Sequence, residues 1–213
     1  MRRSYLKAKL LDLIFTSPVI AWFSLGIYGS TQMMGSSEGL LVNVSLAANI
    51  ALICLIIFAI LLRPPSLRNA KGVLPKLAGA VGFLLPSFIV AVPAVELSPS
   101  TKIVSVGLVL LGTLVSIAAT IWLGRSFSIL PQARALVTEG PYRLVRHPLY
   151  AGELLALIGI MFRYQQPWAL CLTLLSIAIQ LPRMNFEERV LEETFPSYKE
   201  YASRTARLIP GVY

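Results

Sequence analysis

His147 is the single histidine of the chain. It stands in GPYRLVRHPLYAGE, residues 140–153, together with Tyr142, Tyr150 and the stiffening prolines Pro141 and Pro148. Pro148 pushes His147 toward an extended backbone and suits the first position of a helix beginning beside it. A helix entrance there offers unpaired N–H groups, which favour an anionic group such as a carboxylate. A second cluster, RMNFEERVLEETFPSYKEY, begins at Arg183. Arg183 and Glu187 lie four residues apart and so share a helix face, with Glu188 next to them. A purely structural reading competes at both places: a proline-capped helix start with an interfacial His and Tyr, and an amphipathic helix on the membrane with ordinary ion pairing. That reading describes residues 189–205 well and Arg183, Glu187 and Glu188 less well. One histidine, with Cys54 and Cys171 as packing residues in separate predicted helices, assembles no metal site.

The elements that must position these groups are apolar. The chain has 213 residues, 56% hydrophobic and 14% charged, which is the composition of a membrane protein. Residues 13–34, 40–62, 77–95 and 103–124 are long enough for the roughly 20 residues that a span requires. The apolar stretches 148–162 and 167–181 each give about 22 Å of helix, short of a bilayer core of about 30 Å. The tight polar link Arg163-Tyr164-Gln165-Gln166-Pro167 joins them as an antiparallel hairpin. The hairpin either just crosses or only dips, and both options return the chain to the side it left. The two polar clusters therefore face each other at one membrane boundary. Pro196 interrupts and restarts the helix that follows. The expected fold is an all-α integral membrane protein with four long transmembrane helices, a helical hairpin and a C-terminal cytoplasmic amphipathic helix. Residues 1–124 form the spans, and 125–213 form a loop, the helical hairpin and the C-terminal amphipathic helix of the same membrane domain. The first four spans carry little polar chemistry, with Asp12 at the membrane edge, so function is expected after residue 124.

The net charge of +9 raises nucleic acid as a partner, but its distribution excludes it. Arg2, Arg3, Lys7 and Lys9 precede the first span. Arg63, Arg68, Lys71 and Lys76 follow the second, and Arg125, Arg134, Arg143 and Arg146 follow the fourth. Five more, Arg183 to Arg207, fall near the C-terminus, and only Lys102 and Arg163 lie opposite. This positive-inside asymmetry places both termini in the cytoplasm. The first span is longer than a signal h-region and lacks a cleavage pattern.

LVTEGPYRLVRHPLYAGE, followed after the hairpin by RMNFEERVLEETFPSYKEYASRTARLIP, resembles the isoprenylcysteine carboxyl methyltransferase family, with phospholipid N-methyltransferases as wider relatives. The resemblance covers roughly residues 124–210 and rests on G-P-Y-x-x-x-R-H-P-x-Y together with R-x-x-x-E-E. It implies an integral membrane enzyme that uses S-adenosylmethionine on a lipophilic acceptor. The expected location is a bacterial or archaeal inner membrane. Carried over residue by residue, it assigns Arg134, Ala135, Leu136, Val137, Tyr142, His147, Pro148, Leu149, Tyr150 and Glu187 to the cofactor. It places Arg183 near the methyl acceptor, with Glu188 as the second acid. Phe127 falls near a polar cofactor contact of the prenylcysteine enzymes, and that role is not carried over, because RSFSILPQA differs from their stretch. A carboxylate acceptor, isoprenoid-like or prenylcysteine-like, is ionised at neutral pH and needs no base. Arg183 could grip it bidentately. An amine acceptor needs a neutral nitrogen, and Glu188 would assist. Two other classes stay open: an NADPH-dependent sterol-type reductase, since such enzymes share an R-H-P-x-Y-like segment and an ending similar to RLIPGVY, and a noncatalytic scaffold. The oligomeric state is left open.

Overall fold

The structure, a computed structural model, describes residues 2–34 and 39–211. The side chains of Arg2 and Arg3 and the last two residues of RLIPGVY lie outside this description. The chain runs α1 (Arg2–Met33), α2 (Leu40–Leu62), β1 (Arg68–Asn69), α3 (Leu74–Leu84), α4 (Pro99–Leu123), β2 (Gln132–Ala133), α5 (Pro148–Met161), α6 (Trp168–Thr194) and α7 (Tyr198–Arg204). A 3-10 turn, Leu85–Ala91, prolongs α3. Five of these helical stretches are long and apolar enough to cross a membrane, and α5 is a shorter apolar helix. Large side chains such as Phe15, Leu40, Val90 and Ile103 are exposed on the outer surface. Lipid solvates such a surface, whereas a water-soluble chain would hide it. The protein is an integral, multi-pass membrane protein.

The structure corrects the expectation of four long spans. The second hairpin arm does not stop near residue 181. It continues through Pro182 to Thr194 as a single 27-residue helix. Pro182 removes one backbone donor, a loss that membrane helices accommodate when neighbours supply partners. The hairpin reaches the full depth of the bundle, because its tip pairs with the α3–α4 connection. There the Val95 N–H donates to the Arg163 carbonyl at 2.9 Å and the Gln165 N–H to the Pro93 carbonyl at 2.9 Å. Beyond Thr194 a break at Pro196 leads into α7, as the proline suggested, but α7 has only 7 residues and buries Tyr198 and Tyr201. The amphipathic segment 189–205 thus comprises the end of α6 and, past the expected break, this short, docked helix. Cys54 and Cys171 are exposed rather than buried packing residues.

Close approach of backbones fixes α5 against α4. A Cβ on Gly112 would stand 2.5 Å from the Ala156 nitrogen, and one on Gly152 2.4 Å from Ser116 Oγ. Ser105 Oγ donates to the Gly159 carbonyl at 2.7 Å along the same seam. Small residues let membrane helices pack through van der Waals contact and short polar links, as here. The first turn of α5 carries His147 and Tyr150, so the seam sets their position. Opposite, Ile56, Ala59, Ile60, Phe127 and Ile129 form an apolar core between α2 and the loop after α4. An antiparallel pairing of Arg68 with Ala133 and Asn69 with Gln132 ties that loop to the α2–α3 connection.

Candidate active site

The turn before α5 is built around Gly140. Its φ of +59° is a left-handed conformation, and a Cβ there would meet the Trp122 ring at 2.3 Å. Only glycine tolerates both. The turn delivers Tyr142, buried and bonded through its carbonyl to the Tyr201 hydroxyl, which donates at 2.7 Å. Burial, with Glu187 nearby, pushes the Tyr142 phenol far above the usual range. Pro148 opens α5, with His147 as the residue before it.

Across from this turn, α6 presents its polar segment. The Tyr150 hydroxyl donates to Glu187 Oε2 at 2.8 Å. The Arg183 guanidinium lies 4.9 Å from the centre of the Tyr150 ring, a cation–π contact. Arg183 Nη2 donates to the Ile129 carbonyl at 3.2 Å, and Nη1 to Gln180 Oε1 at 3.2 Å. Glu153 Oε2 stands 4.0 Å from Arg183 and accepts from Gln180 Nε2 at 3.3 Å. Arg183 is 6% exposed, yet its Nε has no hydrogen-bond partner among the described residues. Arg146 Nε is likewise buried and unpartnered. Such donors carry a desolvation cost of about 1–3 kcal/mol, more for charged groups, until an acceptor arrives.

These groups border one cavity of about 280 Å³. Arg146, His147, Tyr150, Glu153, Arg183 and Glu187 line its polar part. Trp22 and Phe23 of α1, Leu52, Ile53 and Ile56 of α2 and Phe83 of α3 line its apolar part. Phe23 and Phe83 meet edge to face, ring centroids 5.3 Å apart, where α1 approaches α3. The donor set suits a zwitterionic cofactor: a carboxylate for an ammonium, cations for a carboxylate, and aromatic and apolar walls for the remainder.

Of the residues singled out in the sequence, Tyr142, His147, Leu149, Tyr150, Arg183 and Glu187 converge on this cavity. Pro148 is buried beside it and frames the helix start. Arg134 is placed elsewhere, in an ion cluster with Asp12 and Arg63. There burial, with Arg63 adjacent, lowers its pKa to about 10. Ala135 is exposed and Leu136 and Val137 half-buried, and none of the three lines the cavity. Glu188 also faces away. Its Oε1 lies 2.9 Å from His147 Nε2 and 3.4 Å from Arg146 Nη1, and Arg207 reaches both oxygens at 3.1 Å. Next to Glu187 in sequence, it points roughly 100° around the helix, so it orients His147 rather than Arg183. The open helix entrance expected at His147 is partly occupied. The Arg146 and His147 N–H groups donate to the Ala206 and Arg207 carbonyls at 2.8 and 3.1 Å.

Sequence reasoning passed over Glu153 and Gln180. The signal was present, since an acid inside an apolar helix three residues after Tyr150 shares its face. It also passed over the α1 and α2 walls, because apolar lining side chains look like any lipid-facing residue.

The comparisons with known proteins bear on this part of the chain. Residues 100–198 match the family model for phospholipid methyltransferases. Protein-S-isoprenylcysteine O-methyltransferase B of Arabidopsis thaliana is 33% identical over 112 residues, 49% of this chain and 57% of that protein. Protein-S-isoprenylcysteine O-methyltransferase A of the same plant matches over the same shares, also at 33%. The cobalt-zinc-cadmium resistance protein CzcN of Cupriavidus metallidurans is 38% identical over 76 residues, 35% of each chain. The chain thus spans between about a third and three-fifths of the curated relatives it matches. The matched region holds α4, the Gly140 turn, the hairpin and the Arg183–Glu188 segment, and in it the chain is similar to phospholipid and isoprenylcysteine methyltransferases.

Proposed function

We propose that the protein transfers a methyl group from S-adenosylmethionine to the carboxylate of a lipophilic, isoprenoid-like or prenylcysteine-like acceptor at the cytoplasmic face of a bacterial or archaeal inner membrane. The observation that carries this reading is a cavity that joins a polar part on α5 and α6 to an apolar part on α1, α2 and α3. A soluble cofactor and a greasy acceptor have to meet, and this cavity offers each its own solvent.

S-adenosylmethionine, when bound, supplies a methyl group on a positively charged sulfur. The chain's own residues bind and orient. Glu187, fixed by the Tyr150 hydroxyl, suits the cofactor ammonium, and Arg146 suits its carboxylate. His147, held by Glu188, closes that side. Arg183 offers its unpartnered Nε to the acceptor carboxylate, and Gln180, Ile129 and Glu153 hold the guanidinium in place. A carboxylate needs no general base, and displacement at carbon depends on alignment and exclusion of water. The buried cation at the junction of the two parts favours a carboxylate over an amine, since an ammonium precursor would be repelled there.

The test is methyl transfer by the purified protein in lipid nanodiscs, with labelled S-adenosylmethionine and either an S-prenylcysteine analogue or an isoprenoid acid. Base-labile label in the lipid phase is the expected result, because methyl esters hydrolyse in alkali. Base-stable label would make the acceptor an amine. No label, together with stabilisation by NADPH and not by S-adenosylhomocysteine, would make the protein a reductase.

A further inference from the structure

The cytoplasmic end of α1 carries a buried ionic knot that the methyl-transfer reading leaves unused. Asp12 Oδ2 and Oδ1 accept from Arg63 Nε and Nη2 at 2.9 and 3.0 Å, a two-pronged pair. Arg134 Nη2 adds a third bond to Oδ1 at 3.2 Å. The two guanidinium side chains are 2% and 0% exposed, and Asp12 is 15% exposed. Arg63 reaches the loop after α4, and Arg134, itself in that loop, bonds within it and to the α2–α3 connection. Arg63 Nη1 donates to the Phe127 carbonyl at 3.2 Å. Arg134 donates to Ser128 Oγ at 2.9 Å, to Gln132 Oε1 at 2.8 Å and to the Pro64 carbonyl. Ile129, inside this gripped segment, presents the carbonyl that holds Arg183 Nη2.

We infer that Asp12 is a positioning residue for Arg183: it neutralises Arg63 and Arg134, they fix residues 127–134, and the Ile129 carbonyl fixes the guanidinium. The inference rests on the reading of Arg183 as the acceptor-binding cation. Two buried guanidiniums without a counter-ion repel each other, and leaving a buried charge uncompensated is costly. Relief comes by swinging outward to the membrane surface, and both arginines would carry the loop with them. Lys9 Nζ, which donates to the Arg63 carbonyl at 2.6 Å, adds positive charge and sharpens the demand for the carboxylate. Asp12 thus acts on a residue 171 positions away without touching the cavity.

The experiment compares wild type, Asp12→Asn and Asp12→Glu in lipid nanodiscs by hydrogen exchange and by single-site kinetics. Exchange in peptides covering 127–134 should quicken about tenfold in Asp12→Asn while α4 and the hairpin stay protected, as for a local opening. Turnover per folded molecule should fall about tenfold with KM for the methyl donor within about twofold, a loss confined to the reacting complex. Asp12→Glu should recover most of both. In an Arg183→Lys background, Asp12→Asn should cost little further turnover, because coupled sites are not additive. Unchanged or uniformly faster exchange would overturn the inference, as would turnover losses that multiply in the double variant. If Asp12→Asn does not fold, Arg63→Lys, which keeps the charge and loses the two-pronged geometry, is read in the same way. If wild type itself methylates nothing, the proposed function fails, and the exchange pattern alone decides whether Asp12 positions the loop.

Discussion

Arg183, Glu187 and Tyr201 illustrate how differently single side chains are committed here. Glu187 lines the cavity with one oxygen held by Tyr150. Glu187→Gln should weaken S-adenosylhomocysteine binding by about 1.5–3 kcal/mol, roughly tenfold or more, in calorimetry on detergent-purified protein. Equal affinity in a folded variant would remove Glu187 from the cofactor. Arg183→Ala should keep most cofactor affinity and lose most turnover, with Arg183→Lys a partial rescue, since an ammonium lacks the guanidinium fork. Normal turnover in Arg183→Ala would reduce Arg183 to a structural group. Tyr201 does another job, docking α7 onto the Tyr142 turn. Burial, with Arg146 opposing and Glu188 assisting, raises its phenol to about 12, and burial raises that of Tyr198 as well. Above pH 10 the unfolded chain releases these protons while the native state keeps them. Stability therefore falls as pH rises from about 10 to about 12. Tyr201→Phe should flatten part of that decline in thermal unfolding curves and cost about 1 kcal/mol at neutral pH through the lost hydrogen bond. A slope identical to wild type would separate Tyr201 from the effect.

At the scale of elements, the motif-bearing parts could be read ahead of the structure, and the elements they work against could not. Gly140, Pro141 and Pro148 are local punctuation, so the turn and the start of α5 follow from nearby residues. The pairing of Tyr150 with Glu187 follows from a hairpin that brings both to one boundary. The apolar stretch ends at residue 181 in the sequence, yet α6 runs on through Pro182 into the polar segment, which a packed membrane bundle tolerates. Asp12 with Arg63 and Arg134 stayed hidden because salt-bridge partners 51 and 122 residues apart leave no periodic trace. The positive-inside pattern counted Arg63 as a loop charge, whereas it is buried. The glycines of the α4–α5 seam looked like general membrane packing and are specific. Gly152→Val would force its side chain against Ser116 Oγ and the Gly112 carbonyl, which lies 2.7 Å from the site of a Cβ. Overpacking of this kind costs about 1–3 kcal/mol or more, so Gly152→Val should lower the detergent melting temperature by several degrees. Gly29→Ala, where nothing among the described residues lies within 4 Å of an added Cβ, should leave it unchanged. Equal melting of the two variants would refute the seam as a tight contact.

For the whole molecule, the two ends of the bundle carry different work. Asp12, Arg63, the turn at Gly140 and the α6–α7 region gather at one end. The α3–α4 connection and the hairpin tip gather at the other. Reporter fusions at residues 98 and 165 should therefore report the noncytoplasmic side, and a fusion at residue 70 the cytoplasmic side. A cytoplasmic report at 165 would mean that the hairpin turns back within the membrane. The seam has a last consequence for how a bulky molecule gets in. Along α4 and α5 backbone lies against backbone, so that wall has no slack to give. The wall made by α1 is different in kind: none of its spanning window is buried, and across the cavity it meets α3 through the Phe23–Phe83 edge contact. If the acceptor is lipophilic as proposed, α1 is the wall better placed to yield to a tail larger than the resting space, like a door hung on one side of a fixed frame, while the frame keeps His147 and Tyr150 in register.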